Sequence, residues 1–258
     1  MWQFDYTLPS LILQIYITIL FYSRRRLHVL LNRVYVCMLW ANILALCLDY
    51  FSSAMDNEWE LYAPKTLLVV NTLFFLSFIV RAFLFYLFTL VLLNQWGRRS
   101  LFCILSLILP MAAMIVLVLT SPVTGLIFRI TSSGYVSGPL YDLINTQVFY
   151  CGIMILIAFL RGHKTAPSVR KNAGFLYGTI LITGSVIRHF FPFILVMNMF
   201  CMFANAVILL EYLNPERFTD LATGLFNTLG WRQTRDEIIS PRGRKRYWMA
   251  GFAIRDFN

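Results

Sequence analysis

Arg81 stands near the centre of a long apolar run, Thr66 to Leu93, in a chain of 258 residues. A guanidinium at that depth of a bilayer is costly unless it meets a partner or a watery cavity, so it marks a place where chemistry is to be sought. Asp49 and the pair Arg188 and His189 stand in the outer parts of two further apolar runs. Asn71, Asn145, Gln147 and Asn198 occur at a similar depth, with Asn205 deeper. Asn42 and Asp49 are seven residues apart, as are Asn198 and Asn205, which puts each pair on one helical face pointing into a bundle. Two uses fit this set. In one, Arg81 or Arg188 pairs with Asp49, the amides bond between helices, and the network only fixes packing. In the other, Asp49, Asn71, Arg81, Asn145, Gln147, Arg188, His189 and Asn198 line an outward-open pocket. Its arginine surplus suits a small anionic ligand, a carboxylate or phosphate. A third use is simply to reach a membrane interface.

Other chemistries find no foothold. No serine, histidine and acid set, H-E-x-x-H pair, paired carboxylates or phosphate loop can be assembled in the apolar part. His189 has no second histidine or cysteine at ligand spacing, so no metal is expected, and no cofactor. The five cysteines, Cys37, Cys47, Cys103, Cys151 and Cys201, all fall inside apolar runs. An odd number with none in an outer loop speaks against a disulfide framework and for small packing side chains.

The elements that must position these residues follow from composition. The chain is 59% hydrophobic and 13% charged, against roughly 45 to 50% and about 25% in soluble domains. It reads as an all-α polytopic membrane protein. Runs of the length that crosses the hydrocarbon core predict seven helices: Leu8 to Tyr22, Leu30 to Ser53, Thr66 to Leu93, Leu101 to Thr120, Asp142 to Leu160, Ala173 to Phe191 and Ile194 to Leu213. Only "FFPF" separates the last two, so six helices is the alternative.

Loop cations set the orientation. Arg24, Arg25, Arg26, Arg33, Arg98, Arg99, Arg161, Lys164, Arg170 and Lys171 follow the first, third and fifth helices, whereas the alternate loops hold Lys65 and Arg129. The amino terminus is therefore expected outside and the carboxyl terminus inside. With no cation before it and no cleavage site after it, the first run reads as a retained helix. The net charge of +10 then serves topology and contacts with anionic membrane lipid, not nucleic acid.

The longest outer loop, residues 121–140, alternates as a strand from Leu126 to Ile130, turns through "TSSG" and resumes at "YVS". This predicts a hairpin. It serves either as a lid over the outer mouth or as a connector.

After Asn214 and Pro215 the sequence changes character. "TDLATGLFN" leads into a helix that Asn227 is placed to cap and that runs to about Ile239. A basic turn, "SPRGRKR", and a short apolar run, "YWMAGFAI", residues 247 to 254, complete a helix, turn, strand order. Asp220, Thr223, Gly224, Leu225 and Asn227 resemble the D-x-L-T-G-L-x-N opening of the GGDEF, or diguanylate cyclase, family, and Ile254 and Phe257 match its first strand. Seven helices with a hairpin loop also look like bacterial sensors that carry such domains. The resemblance implies an inner-membrane signal receptor controlling a cyclic di-GMP module, with a sensor region 1–213 and the beginning of a degenerate α/β output domain at 214–258. A homodimer is also expected. Ala222, Thr228 and Leu229 depart from the family opening, and Ala253 and Arg255 stand where the family's strand has aspartates that hold magnesium. A methyl group cannot coordinate a hard cation, so cyclase activity is not expected of this segment. A solute transporter and a membrane scaffold are the alternative classes.

Overall fold

In the computed structural model, residues 6–23, 30–93, 95, 101–132, 134–162, 171–191, 194 and 196–213 are described, with scattered positions between 220 and 231. All seven apolar runs are helices: α1 (Thr7–Ser23), α2 (Leu30–Asn57), α3 (Pro64–Leu92), α4 (Leu101–Thr124), α5 (Asp142–Gly162), α6 (Lys171–Phe190) and α7 (Met197–Tyr212). The two runs parted by "FFPF" are separate helices. Among the described residues four helices, Leu30–Asn57, Pro64–Leu92, Leu105–Thr124 and Asp142–Arg161, are long and apolar enough to cross a membrane. This is the signature of a membrane protein. α1 and α7 are apolar but shorter, at 17 and 16 residues.

The chain divides into two compact units, Met1–Asn214 and Pro215–Asn258. Within the first, α3 packs against α2, α4 and α5, while α6 lies between α5 and α7, and α1 touches α2 and α7. α3 is the central helix, and among the four spans it is the one whose apolar window is most buried. Aromatic rings fill the middle of the unit: Tyr35, Phe85, Phe88, Phe159 and Tyr177 are all shielded from solvent. Pro64 at the first turn of α3 suits a position whose N–H would have no helical acceptor.

α4 runs past its expected end, through Pro122, and stops at Gly125, whose φ of +67° is the left-handed conformation that ends helices. The hairpin then forms from β1 (Phe128–Thr131) and β2 (Gly134–Ser137), antiparallel, with Phe128 opposite Ser137 and Thr131 opposite Gly134. Its first strand starts two residues later than the alternation predicts, because the buried Ser121 hydroxyl intervenes. Ser121 Oγ accepts the N–H groups of Ile127 at 3.1 Å and Phe128 at 3.0 Å and donates to Phe128 O at 3.0 Å. Gly134, at φ +91°, lies under Trp59: a Cβ there would come within 2.7 Å of the indole Cδ1. The hairpin is thereby tied to the turn after α2.

In the second unit, Asp220 and Thr223 make a self-closing turn. Asp220 Oδ1 accepts from Thr223 N at 2.9 Å and Thr223 Oγ1 at 3.0 Å, and Asp220 N donates to Leu225 O at 2.7 Å. Asn227 Oδ1 accepts the N–H of Gly230 at 3.0 Å while its carbonyl accepts that of Trp231, which is the bonding of a helix N-cap. Asn227→Ala is expected to cost this helix start about 1 kcal/mol. Amide hydrogen exchange at Gly230 and Trp231 checks this, with faster exchange the expected outcome. Gly224, Ala222, Thr228's neighbour Leu229, and the expected strand with Ala253, Ile254, Arg255 and Phe257 lie outside the described residues.

Candidate functional site

At the hairpin end of the first unit, α2, α3, α6 and the hairpin enclose a polar cleft. Asp49, Ser52, Ser53 and Asp56 of α2 line it, with Asn71 of α3, Arg188 of α6, Tyr135 of β2 and Tyr141 beyond it. The cleft holds about 240 Å³ of empty space, counted with its open side. About 20 Å³ is open to the centre of a water-sized group, room for roughly one or two such groups.

The lining is held by neighbours on different elements. Asn71 Nδ2 donates to Asp56 Oδ1 at 2.9 Å and to Leu67 O at 3.1 Å, so its amide orients the acid. Arg188 Nη1 donates to Ile194 O and Nη2 to Tyr141 OH, each at 2.9 Å, which draws the linker before α7 and the end of the hairpin onto α6. Tyr135 stacks on Phe128 with ring centroids 6.2 Å apart. Desolvation holds its phenol well above the ordinary range, so it presents a neutral hydroxyl.

Beneath the cleft a line of side-chain hydrogen bonds enters the bundle. Asp49 Oδ2 accepts from Thr7 Oγ1 at 3.3 Å and from Asn198 Nδ2. Asn198 Oδ1 accepts in turn from Arg81 Nη1, which also reaches Asn42 Oδ1 at 3.3 Å. Asn42 Nδ2 donates to Gln14 Oε1 at 2.9 Å, and Asn205 Nδ2 to the same oxygen at 3.3 Å. The Arg81 guanidinium also lies over the Phe78 ring, 4.7 Å from its centroid. The line crosses α1, α2, α3 and α7, and every member is buried. Hydrogen-bonded amides are what make a buried guanidinium and carboxylate tolerable, since each otherwise loses its hydration uncompensated.

The structure thus brings together Asp49, Asn71 and Arg188 at the cleft, and Arg81 and Asn198 below it. It does not bring together all eight expected pocket residues. Arg81 reaches Asp49 through Asn198, not by direct pairing. The expected arginine surplus is absent from the cleft, because Arg81 is enclosed among amides and the lining sets two carboxyl groups against one guanidinium. His189 is exposed and rests edge-on against Phe190. It points away because it neighbours Arg188 on a helix whose inward face Arg188 already takes. Asn145 bonds across to α6, giving its Nδ2 to Ser185 O at 2.8 Å and taking the Ser185 hydroxyl. Gln147 turns along its own helix to Cys151 Sγ at 3.8 Å. Both serve α5 and its packing.

Thr7, Gln14, Ser52, Ser53, Asp56, Tyr135 and Tyr141 join the network without having been singled out in the sequence. A signal for the helical ones was present. Thr7 and Gln14 in α1, Asn42, Asp49 and Asp56 in α2, and Asn198 and Asn205 in α7 each repeat at seven residues, the spacing that keeps side chains on one seam of a bundle. Among the described residues no group of three or more His, Cys, Asp or Glu is placed to hold a metal ion. Compared with known proteins, the chain matches no family model, no curated protein and no solved structure.

Proposed function

We propose that the protein is a membrane receptor of seven spans, amino terminus outside, in which the hairpin-side cleft takes the ligand and α7 carries the response inward. The observation that carries this reading is the unbroken line from the cleft to α7: Asp49 lines the cleft, and its Oδ2 is bonded to Asn198 near the start of that helix. A group that draws on Asp49 changes what Asn198 and Arg81 can bond. Two helix arrangements that differ in that bonding differ in ligand affinity, and a ligand then shifts their populations by that difference.

Two features of the sequence support the seven spans and the direction: the cationic loops on one side and the chain continuing from α7 into the Asp220 to Asn227 turn. The likeness of that turn to the opening of the GGDEF family makes a cyclic di-GMP module in the bacterial plasma membrane the proposed output. A transporter would also place polar side chains at the centre of a bundle.

The test is an intact-cell cyclic di-GMP reporter, comparing the protein with its Asp56→Asn variant at equal expression. The receptor reading expects the variant to shift the reporter level at least twofold. An unchanged level, joined by Asp56-dependent solute uptake into vesicles, would put a transporter in its place.

A further inference from the structure

We infer that the cleft binds a small cation bearing N–H donors, an ammonium ion or the head of a primary amine. This rests on the receptor reading for its consequence but on the cleft alone for its chemistry.

The protein leaves one oxygen of each cleft acid without a donor. Asp49 bonds through Oδ2 and Asp56 through Oδ1. Among the described residues no hydrogen bond falls on Asp49 Oδ1 or Asp56 Oδ2. Yet the side chains are 2% and 9% exposed. Among the described residues the fully enclosed unpartnered atoms are Gln14 Nε2, Arg81 Nη2 and Asn205 Oδ1. The two carboxylate oxygens are not of that kind, so they open onto the accessible space their side chains line. Oxygens so placed take their donors from whatever fills that space, water or a ligand bearing N–H groups.

Beside the rings of Phe74 and Phe75, the other polar lining groups point the same way. Asn71 uses its amide nitrogen on Asp56 and Leu67 and keeps its Oδ1 as an acceptor. Ser52 donates to Asp49 O at 3.2 Å and retains its hydroxyl lone pairs. Arg188 has Nη1 on Ile194 O and Nη2 on Tyr141 OH, so it braces the wall. Acceptors are in excess, and although Arg188 and Arg81 both attract the Asp49 carboxyl group, Asp56 has only the Asn71 amide beside it.

Spacing chooses an amine over a metal ion. Asp49 and Asp56 are seven residues apart on α2, about 10 Å along the axis. A metal ion needs its oxygens closed around it at about 2.0 to 2.6 Å, which one ion cannot meet from both acids. An ammonium head has three or four donors, each reaching about 2.8 Å, and can take one acid with Ser52 or Asn71 while water bridges to the other. The inner space, sized for one or two water-like groups, admits such a head, and the open side admits a tail.

The free amine and the ammonium head of a phosphatidylethanolamine lipid share this chemistry. The protein is placed in phosphatidylcholine nanodiscs, whose headgroup has no N–H, and methylammonium chloride is titrated while saturation-transfer NMR reads its binding. Saturable binding is expected, weakened at least tenfold by Asp49→Asn and by Asp56→Asn and unchanged by Glu60→Gln, an exposed acid in the turn between α2 and α3. Asp56, with one amide partner and a place at the rim, is the variant that keeps the fold if Asp49→Asn does not. Phosphatidylethanolamine discs that suppress the methylammonium signal would support the same chemistry and name the lipid as its source. Displacement of methylammonium by sodium or tetramethylammonium at equal concentration would overturn the N–H requirement. Absence of binding to the unaltered protein, or binding of phosphate lost in Arg188→Ala, would overturn the inference outright. Binding is scored apart from any movement of α7, so a cleft that binds methylammonium without a response leaves this inference standing and removes the receptor reading.

Discussion

Asn198→Leu is expected to lower the stability of the first unit by about 3 kcal/mol, the range found when one partner of a buried charged pair is removed. The size follows from position, not from the count of hydrogen bonds. Bonds between helices in a bilayer average only about 0.6 kcal/mol, but Asn198 stands between two charged groups. Its Oδ1 takes Arg81 Nη1 and its Nδ2 gives to Asp49 Oδ2. Leucine fills the space and answers neither. Arg81 is then left with Asn42 and the Phe78 ring, and Asp49 with Thr7. Unfolding titrations in mixed micelles measure the loss. A decrease below about 1 kcal/mol would mean that the two charges rearrange onto each other without the amide.

Gly174→Ala is the second large effect, through crowding. A Cβ on Gly174 would lie 2.2 to 2.4 Å from three atoms of the Phe159 ring. That ring cannot swing aside freely. It is fully buried, meets Tyr177 edge-on at 5.9 Å and lies nearly parallel to Tyr212 at 6.5 Å. Overpacking of this kind costs about 1 to 3 kcal/mol, and here the three aromatics joining α5, α6 and α7 place it at the upper end. The companion change Phe159→Leu should restore part of the loss when combined with Gly174→Ala. Thermal unfolding of the two single variants and the double variant gives the coupling, and strict additivity would contradict the contact.

The helices were legible in the sequence because a bilayer demands long apolar runs, and those runs differ from the observed helices by only a few residues. One of the two largest shifts shows what hydropathy misses. α2 was expected to end at Ser53 and runs to Asn57, since Ser52, Ser53 and Asp56 are polar yet face the cleft. An apolar window stops at such residues, while the seven-residue repeat of Asn42, Asp49 and Asp56 continues through them. The Arg81 to Asp49 relation was legible in kind and not in form. Charge rules name the two ends, but which amide comes between them depends on α7 packing beside α2, and one chain's sequence does not contain that pairing. The cleft's sign was hidden for the same reason: whether Arg81 lines it or lies beneath it is a matter of depth.

The claim on which the receptor account turns is that cleft occupancy reaches α7. Leu160 on α5 and Leu210 on α7 are exposed, so cysteines carrying spin labels there report α7 against α5 with little disturbance of the core. The measurement is the label-to-label distance distribution in nanodiscs as methylammonium is titrated. The account predicts a shift between two populations over the same concentrations at which the cleft fills, and its loss in Asp49→Asn. A distribution that stays fixed while the cleft saturates would contradict it.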